Sequence, residues 1–227
     1  MRNMTKRRRY MLASEKVPRV PEEYQEVAWL RGSGTQWCYL PRGYSIGLDS
    51  DNHFHGIKGD IELLTSTQYT KFVIIAESGN PNQIGYTYWR IRVNYGTLTE
   101  LYHPQDGYQQ SDISHSASGS LIYHFEINKN SMVINDSILA YPYIPTGSYY
   151  NDYISIGRMS GTIENNNVLI KGIQLTYDDN VILELIPCYR KSDNKAGLFY
   201  WIDYSQGTSG FITNSGSGSD FLIGPDV

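Results

Sequence analysis

The sequence is poor in cysteine. Its 227 residues contain two, Cys38 and Cys188, and no CxxC pair. That count excludes a disulfide scaffold. A single Cys38–Cys188 bridge and two buried free thiols both remain open, since an unpaired cysteine behaves as a small apolar side chain. Charge is also sparse, at 19%, yet the 40% hydrophobic content is too high for a disordered chain. No apolar run approaches the roughly 18–20 residues of a membrane helix. The basic N-terminus has no apolar segment behind it, so a secretory signal is not expected, and it lacks the amphipathic repeat of a transit peptide. There is no GxSxG elbow, P-loop, HExxH or dinucleotide fingerprint. No stretch carries a helical apolar face of three turns, and there is no repeat at a fixed period.

What the chain does have is tyrosine, 20 residues of it, and 21 glycines. Together they describe a β-protein rich in turns. From Tyr24 onward the apolar period is two. In 120–128, Leu121, Tyr123, Phe125 and Ile127 alternate with Ile122, His124 and Glu126. In 83–95, Thr87, Trp89, Ile91, Val93 and Tyr95 share a face opposite Tyr86, Tyr88, Arg90, Arg92 and Asn94. In 171–177, Ile173, Leu175 and Tyr177 share a face, and Asp178-Asp179-Asn180 reads as a tight hairpin returning along 181–186. The apolar run 72–75 fits a central strand. Thr208–Asp220 reads as turns within a terminal hairpin. The expected fold is all-β, a two-sheet antiparallel sandwich of jelly-roll type.

Charge divides the chain. Residues 1–20 hold seven bases and one acid, a net of +6, and the remainder holds 12 bases and 22 acids, a net of −10. A basic arm, 1–20, therefore precedes an acidic domain, 21–227. The acidic body argues against unspecific nucleic-acid binding over most of its surface. In the arm, Lys6, Arg7, Arg8, Arg9 and Tyr10 are the candidate anchoring residues.

Candidate chemistry is thin. Asp60-Ile61-Glu62 places two acids on one strand face, but glycosidases of this architecture use three at alternating positions, and the third acid is absent. Asp49, Asp51, His53 and His55 form the most ligand-like stretch. It reads as a polar loop or a weak metal site, with calcium the preferred ion, and no cofactor is required. The strongest binding candidate is the loop 141–153, where Pro142, Pro145 and Gly147 forbid a regular strand. Its Tyr141, Tyr143, Tyr149 and Tyr150 offer flat faces for stacking, and Asn151 and Asp152 offer hydrogen bonds to hydroxyls. The same rings are equally suited to packing on the sandwich or on a neighbouring subunit. A weaker polar candidate is 102–118, with His103, Tyr108, Gln109 and Gln110.

Several stretches resemble a known family. Pro21-Glu22-Glu23-Tyr24-Gln25-Glu26-Val27-Ala28-Trp29-Leu30-Arg31-Gly32-Ser33-Gly34-Thr35-Gln36-Trp37 is similar to the "P-x-E-Y-x-x-V-x-Y-[IL]-x-S-[ST]-G-T-Q-Y" opening of laminin-G-like, concanavalin A-like domains of phage and prophage structural proteins. The segment 185–198, containing Ile186-Pro187-Cys188-Tyr189-Arg190-Lys191-Ser192-Asp193, resembles their "IPC-x-[RK]-K-S-D" ending. Phe211-Ile212-Thr213-Asn214 and Gly224-Pro225-Asp226-Val227 resemble their closing segments, and 154–158 their "IFGR" strand. One departure is the added aromatic stretch from Phe199 to Tyr204. The resemblance implies a jelly roll whose first and last strands pair. It implies a non-enzymatic virion structural protein, a head- or tail-associated appendage (fibre or decoration), made in the host bacterial cytoplasm. Its expected partners are other virion proteins, through the arm, and host surface glycan, with homo-oligomers and without membrane or specific nucleic acid. The alternatives are a purely structural docking module, a glycan depolymerase and a bacterial surface adhesin. The fold alone does not choose among them.

Overall fold

The computed structural model describes residues 19–40, 44, 46–49, 51–64, 71–78, 87–94, 98–103, 109–113, 121–134, 137–140, 153–159, 162–163 and 165–227. Twenty strands run through these segments. The early ones are β1 (Tyr24–Glu26), β2 (Leu30–Ser33), β3 (Cys38–Tyr39), β4 (Gly47–Leu48) and β5 (Phe54–Leu63). Then come β6 (Lys71–Ser78), β7 (Thr87–Asn94), β8 (Leu98–His103), β9 (Gln109–Ile113), β10 (Leu121–Ile127), β11 (Ser131–Ile134) and β12 (Ser137–Ala140). The last are β13 (Tyr153–Ile156), β14 (Arg158–Met159), β15 (Thr162–Ile163), β16 (Asn165–Tyr177), β17 (Asn180–Arg190), β18 (Lys195–Asp203), β19 (Thr208–Thr213) and β20 (Leu222–Ile223). The described helical structure is one 3₁₀ turn at Tyr204–Gln206, capped by the Asp203 carboxylate.

Every strand pair described is antiparallel. The first layer runs β12-β11-β10-β5-β16. Along its far edge β16 pairs with β17 over one half and with β2 over the other, and β20 lies outside β2. A second ladder runs β3-β13-β6-β7-β8-β9. A third joins β1, β17, β18 and β19. β17 belongs to both, pairing with β16 as far as Leu185 and with β18 from Ile186 onward. This is the expected antiparallel jelly-roll sandwich, and 72–75 lies in a strand flanked on both sides, by β7 and β13.

Alternation places the core. Tyr123, Phe125 and Ile127 are buried while Ile122 and His124 are exposed. Opposite them β5 buries Ile57, Ile61 and Leu63, and β16 buries Val168, Ile170, Ile173 and Leu175. A single alternation cannot bury both Ile170 and Ile173. The register shift between Ile170 and Gly172 sets Lys171 outside the pairing and turns the next inward position to Ile173. β18 contributes Ala196, Leu198 and Tyr200 to the same core. Its other side, with Phe199, joins Val20, Ile186 and Cys188 in a smaller cluster flanked by Tyr24, Trp201 and Phe211. The aromatic stretch 199–204 that departs from the family pattern is thus the continuation of β18 and the 3₁₀ turn after it.

The termini meet as expected. β2 pairs with β20, and Val27 bridges Asp226. Arg19 is tied down by ion pairs to Glu26 and Glu184 (2.7 Å to Glu184) and by its carbonyl, which accepts from Trp201 Nε1 at 3.0 Å. Two expectations are corrected. Thr208–Thr213 is strand β19, so the Gly/Ser stretch turns only in the bends at 216–219. The segment 102–118 includes paired strand, His103 lying opposite Gln109 and Tyr102 opposite Gln110.

Candidate functional site

Asp49, Asp51, His53 and His55 come together as the turn between β4 and β5. Asp49 Oδ1 accepts the backbone N–H groups of Asp51 and His53, both at 2.9 Å, which is how a short acidic side chain closes a tight turn. The β16–β17 hairpin tip docks on this loop. Its two central residues, Asp178 and Asp179, both have positive φ, as a two-residue turn with the right twist requires. Asp178 Oδ1 accepts Phe54 N–H at 2.9 Å, and Asp178 Oδ2 accepts from His53 Nδ1 at 2.5 Å. The Tyr177 ring lies 5.0 Å from His53 and 4.9 Å from His55. Among the described residues no three His, Cys, Asp or Glu side chains are grouped to hold a metal ion. The Asp49 carboxylate that sequence reading offered to calcium is occupied by the two backbone N–H groups on Oδ1 and by His55 Nε2 at 3.4 Å from Oδ2.

This latch titrates. The Asp178 hydrogen bond raises the His53 pKa against a smaller desolvation effect, and the charges of Asp178, Asp49 and Asp51 add to the rise. The Phe54 N–H and then His53 lower Asp178, with Lys129 helping. At Asp49, desolvation is outweighed by the N–H groups of His53 and Asp51, and the carboxyl is lowered. Tyr177 is raised by desolvation and then by Asp49. A raised imidazole stabilises the fold below its unfolded value, and that contribution is lost as pH rises through the raised folded value. The lowered carboxylates stabilise above their unfolded values and lose that contribution as pH falls through the folded ones. The latch is therefore strongest between about pH 4.5 and 6.5. We expect the thermal midpoint of the wild type to fall between pH 6 and 8, and Asp178→Asn to flatten that slope. Equal slopes in the two proteins would show that the latch does not titrate.

The outer face of the first layer carries the second group of charged residues. Lys58, Asp60 and Glu62 alternate outward on β5, so a lysine stands where a third acid would complete a glycosidase set. Asp60 lies opposite His124 and accepts from its Nδ1 at 3.0 Å. Glu62 is paired with the bulged Lys171 at 2.6 Å. Glu62 is thus ion-paired and Asp60 hydrogen-bonded to a neighbouring strand.

Trp29 and Arg31 lie at the β2–β20 end of this face. Leu30 stands opposite Ile223 and Arg31 opposite Leu222. The next N–H, of Gly224, donates to the Trp29 carbonyl at 2.9 Å, so Gly224 stands opposite Trp29. A Cβ at Gly224 would lie 2.7–2.9 Å from Cε2, Cδ2 and Nε1 of the indole. The ring therefore lies down over the glycine, on the face it shares with Arg31 and Leu222. Arg31 is also opposite Leu169, Leu169 opposite Glu62, and Glu62 opposite Ile122. One file of side chains, Leu222, Arg31, Leu169, Glu62 and Ile122, crosses four strand boundaries. Its ends are exposed, Leu222 at 50% and Ile122 at 59%. Arg31 Nη2 donates to Asn167 Oδ1 at 2.8 Å, and its buried Nε has no hydrogen-bond partner.

Sequence reading quoted Trp29, Arg31 and Gly224 only as parts of a signature. The signal available was the W-x-R alternation and a glycine near the far end of the chain. The other signature residues have structural work. Arg190 grips Asp193 with Nε at 3.1 Å and Nη2 at 2.5 Å across the β17–β18 turn, which lowers the Asp193 pKa to about 2. Cys38 and Cys188 are free, buried thiols in separate clusters, both pushed up to about 12 by desolvation. The loop candidates Tyr141, Tyr143, Tyr149, Tyr150, Asn151 and Asp152 lie outside the described residues, as do Lys6, Arg7, Arg8, Arg9 and Tyr10 of the arm.

No protein-family model matches the chain, and no curated protein does. Among solved structures the chain is similar to the galectin LEC-6 of Caenorhabditis elegans, with a TM-score of 0.37 and 14% identity over 69% of this chain and 98% of that one.

Proposed function

We propose that this protein is a non-enzymatic virion structural protein of a bacteriophage or prophage, a head- or tail-associated appendage whose jelly roll binds host surface glycan. The observation that carries the binding part is the Trp29 indole, laid over Gly224 beside Arg31 and the Lys171–Glu62 pair on an outer sheet face. A flat aromatic face stacks on the C–H side of a sugar ring, and neighbouring charged groups hydrogen-bond its hydroxyls. The hydrogen bond of Asp60 with His124 and the ion pair of Glu62 with Lys171 support a binding rather than a hydrolytic role. The phage setting is supported by the sequence signatures at both ends of the domain, and the basic arm is the proposed attachment to the particle.

The test is a glycan array probed with the full chain and with Trp29→Ala. We expect the wild type to bind at least one bacterial surface glycan and Trp29→Ala to weaken it at least tenfold. A wild type that binds nothing on the array sinks the glycan role. The second reading, a docking module that contacts other virion proteins, is favoured by Ile122 and Ile138. Both face outward on the first layer, and Ile138 is 68% exposed.

A further inference from the structure

We propose that the Trp29–Arg31 end of the outer face takes an acidic saccharide, with Arg31 anchoring the sugar carboxylate. This rests on the glycan-binding reading and narrows it to a ligand class. The first observation is the charge bookkeeping of the face. Each acid described near Arg31 on this face already has a base: Glu62 has Lys171 and Asp60 has His124. Among the described residues Arg31 has no carboxylate partner. Its one side-chain acceptor is the neutral amide oxygen of Asn167. Arg19 and Arg190, by contrast, both have carboxylate partners.

The second observation is the orphan Nε. Buried donors in folded proteins are almost always satisfied, and leaving one unmet costs on the order of 1–3 kcal/mol. Asn167 occupies Nη2 and fixes the plane of the guanidinium without discharging it. With Nε buried and Nη2 held by Asn167, Nη1 is the nitrogen through which the guanidinium meets an incoming carboxylate, in a charge-assisted hydrogen bond. The third observation is the spacing. Trp29 and Arg31 are two residues apart on one strand line, roughly 7 Å. A sugar ring stacked on the indole then directs its exocyclic carboxylate toward the guanidinium. The flanking Leu222 and Leu169 give the site apolar walls, and Leu169 is only 6% exposed although it faces outward.

The experiment titrates the full chain by calorimetry with three probes: a de-esterified oligogalacturonide, the same oligomer fully methyl-esterified, and inorganic phosphate as competitor. The wild type should bind the free acid at least tenfold more tightly than the ester, more weakly as salt rises, with phosphate a poor competitor. Arg31→Gln should abolish the tenfold preference, Arg31→Lys should restore only part of it, and Trp29→Ala should weaken acid and ester alike. A melting curve on each variant confirms the fold. Equal binding of acid and ester by the wild type, or an unchanged preference in Arg31→Gln, overturns the carboxylate anchor while the glycan reading survives. Effective competition by phosphate overturns it in favour of a general anion site. If neither oligomer binds and the array is also blank, both readings fall together.

Discussion

Phe125→Ala lowers the stability of the fold by about 3–5 kcal/mol, the range for deleting a buried aromatic ring. In a domain of this size that is a fall in thermal midpoint on the order of 10 °C. The reason lies in the pairing of β10 with β5. Phe125 is 1% exposed and stands directly opposite Gly59. A Cβ at Gly59 would sit 2.5 Å from the Gly172 carbonyl oxygen and 2.9 Å from Phe125 Cζ. The glycine is there because the ring and the neighbouring strand occupy the space a side chain would need. Removing the ring opens a void that no neighbour is placed to fill. The control is Ile122→Ala, three residues earlier on the same strand, where the side chain faces water and the expected change is within about 0.5 kcal/mol. Urea unfolding of the two variants makes the comparison. A loss below about 1 kcal/mol at Phe125 would mean that β10 does not face the core as described.

The contrast between these two positions also shows how far sequence alone reaches. Period-two patterning is a local property, so the inward set of β10 and the 178–179 hairpin were legible in the residues themselves. The bulge at Lys171 was not. Read as a strand from Asn165, the alternation breaks at Ile170, and only the partner strand β5 shows how the chain recovers by placing Lys171 outside the ladder. The Trp29 platform was hidden for a related reason. It needs Gly224, almost the whole chain away, and no local pattern states which strand will lie beside β2. The loop 49–55 was legible as polar, but Asp49 serves turn closure, and His53 and the Phe54 N–H latch onto Asp178, contacts that depend on the β16–β17 tip arriving there.

Gln36→Leu is expected to cost about 2–4 kcal/mol, although it exchanges one side chain for another of similar size and greater hydrophobicity. Gln36 is completely buried. Its Oε1 accepts Ser33 N–H at 2.7 Å and Thr35 N–H at 3.3 Å, and its Nε2 donates to the Ser219 carbonyl at 3.1 Å. Leucine would remove the acceptor of the part-buried Ser33 and Thr35 N–H groups and one of the two donors on the Ser219 carbonyl, at about 1 kcal/mol per hydrogen bond, and the gain in apolar burial offsets only part of this. Asn214 works on the same loop. Its Oδ1 accepts Gly216 N–H at 2.8 Å and Trp37 N–H at 3.2 Å, while its Nδ2 donates to the same Ser219 carbonyl at 3.1 Å. Two amides on opposite ends of the sequence thus share one acceptor and hold the entry loop of β3 against the loop before β20. That gives the paired "T-Q-W" and "T-N-S-G" signatures a physical meaning, independent of any ligand. Because the acceptor is shared, the two substitutions should not add. Each single substitution leaves the Ser219 carbonyl one donor and only the pair leaves it none, so in a double-mutant cycle of Gln36→Leu and Asn214→Ala, read by urea unfolding, the double mutant should lose more than the sum by at least about 0.5 kcal/mol. Strict additivity would mean that the two loops are held by separate contacts, and that the signatures coincide in sequence without cooperating in the fold.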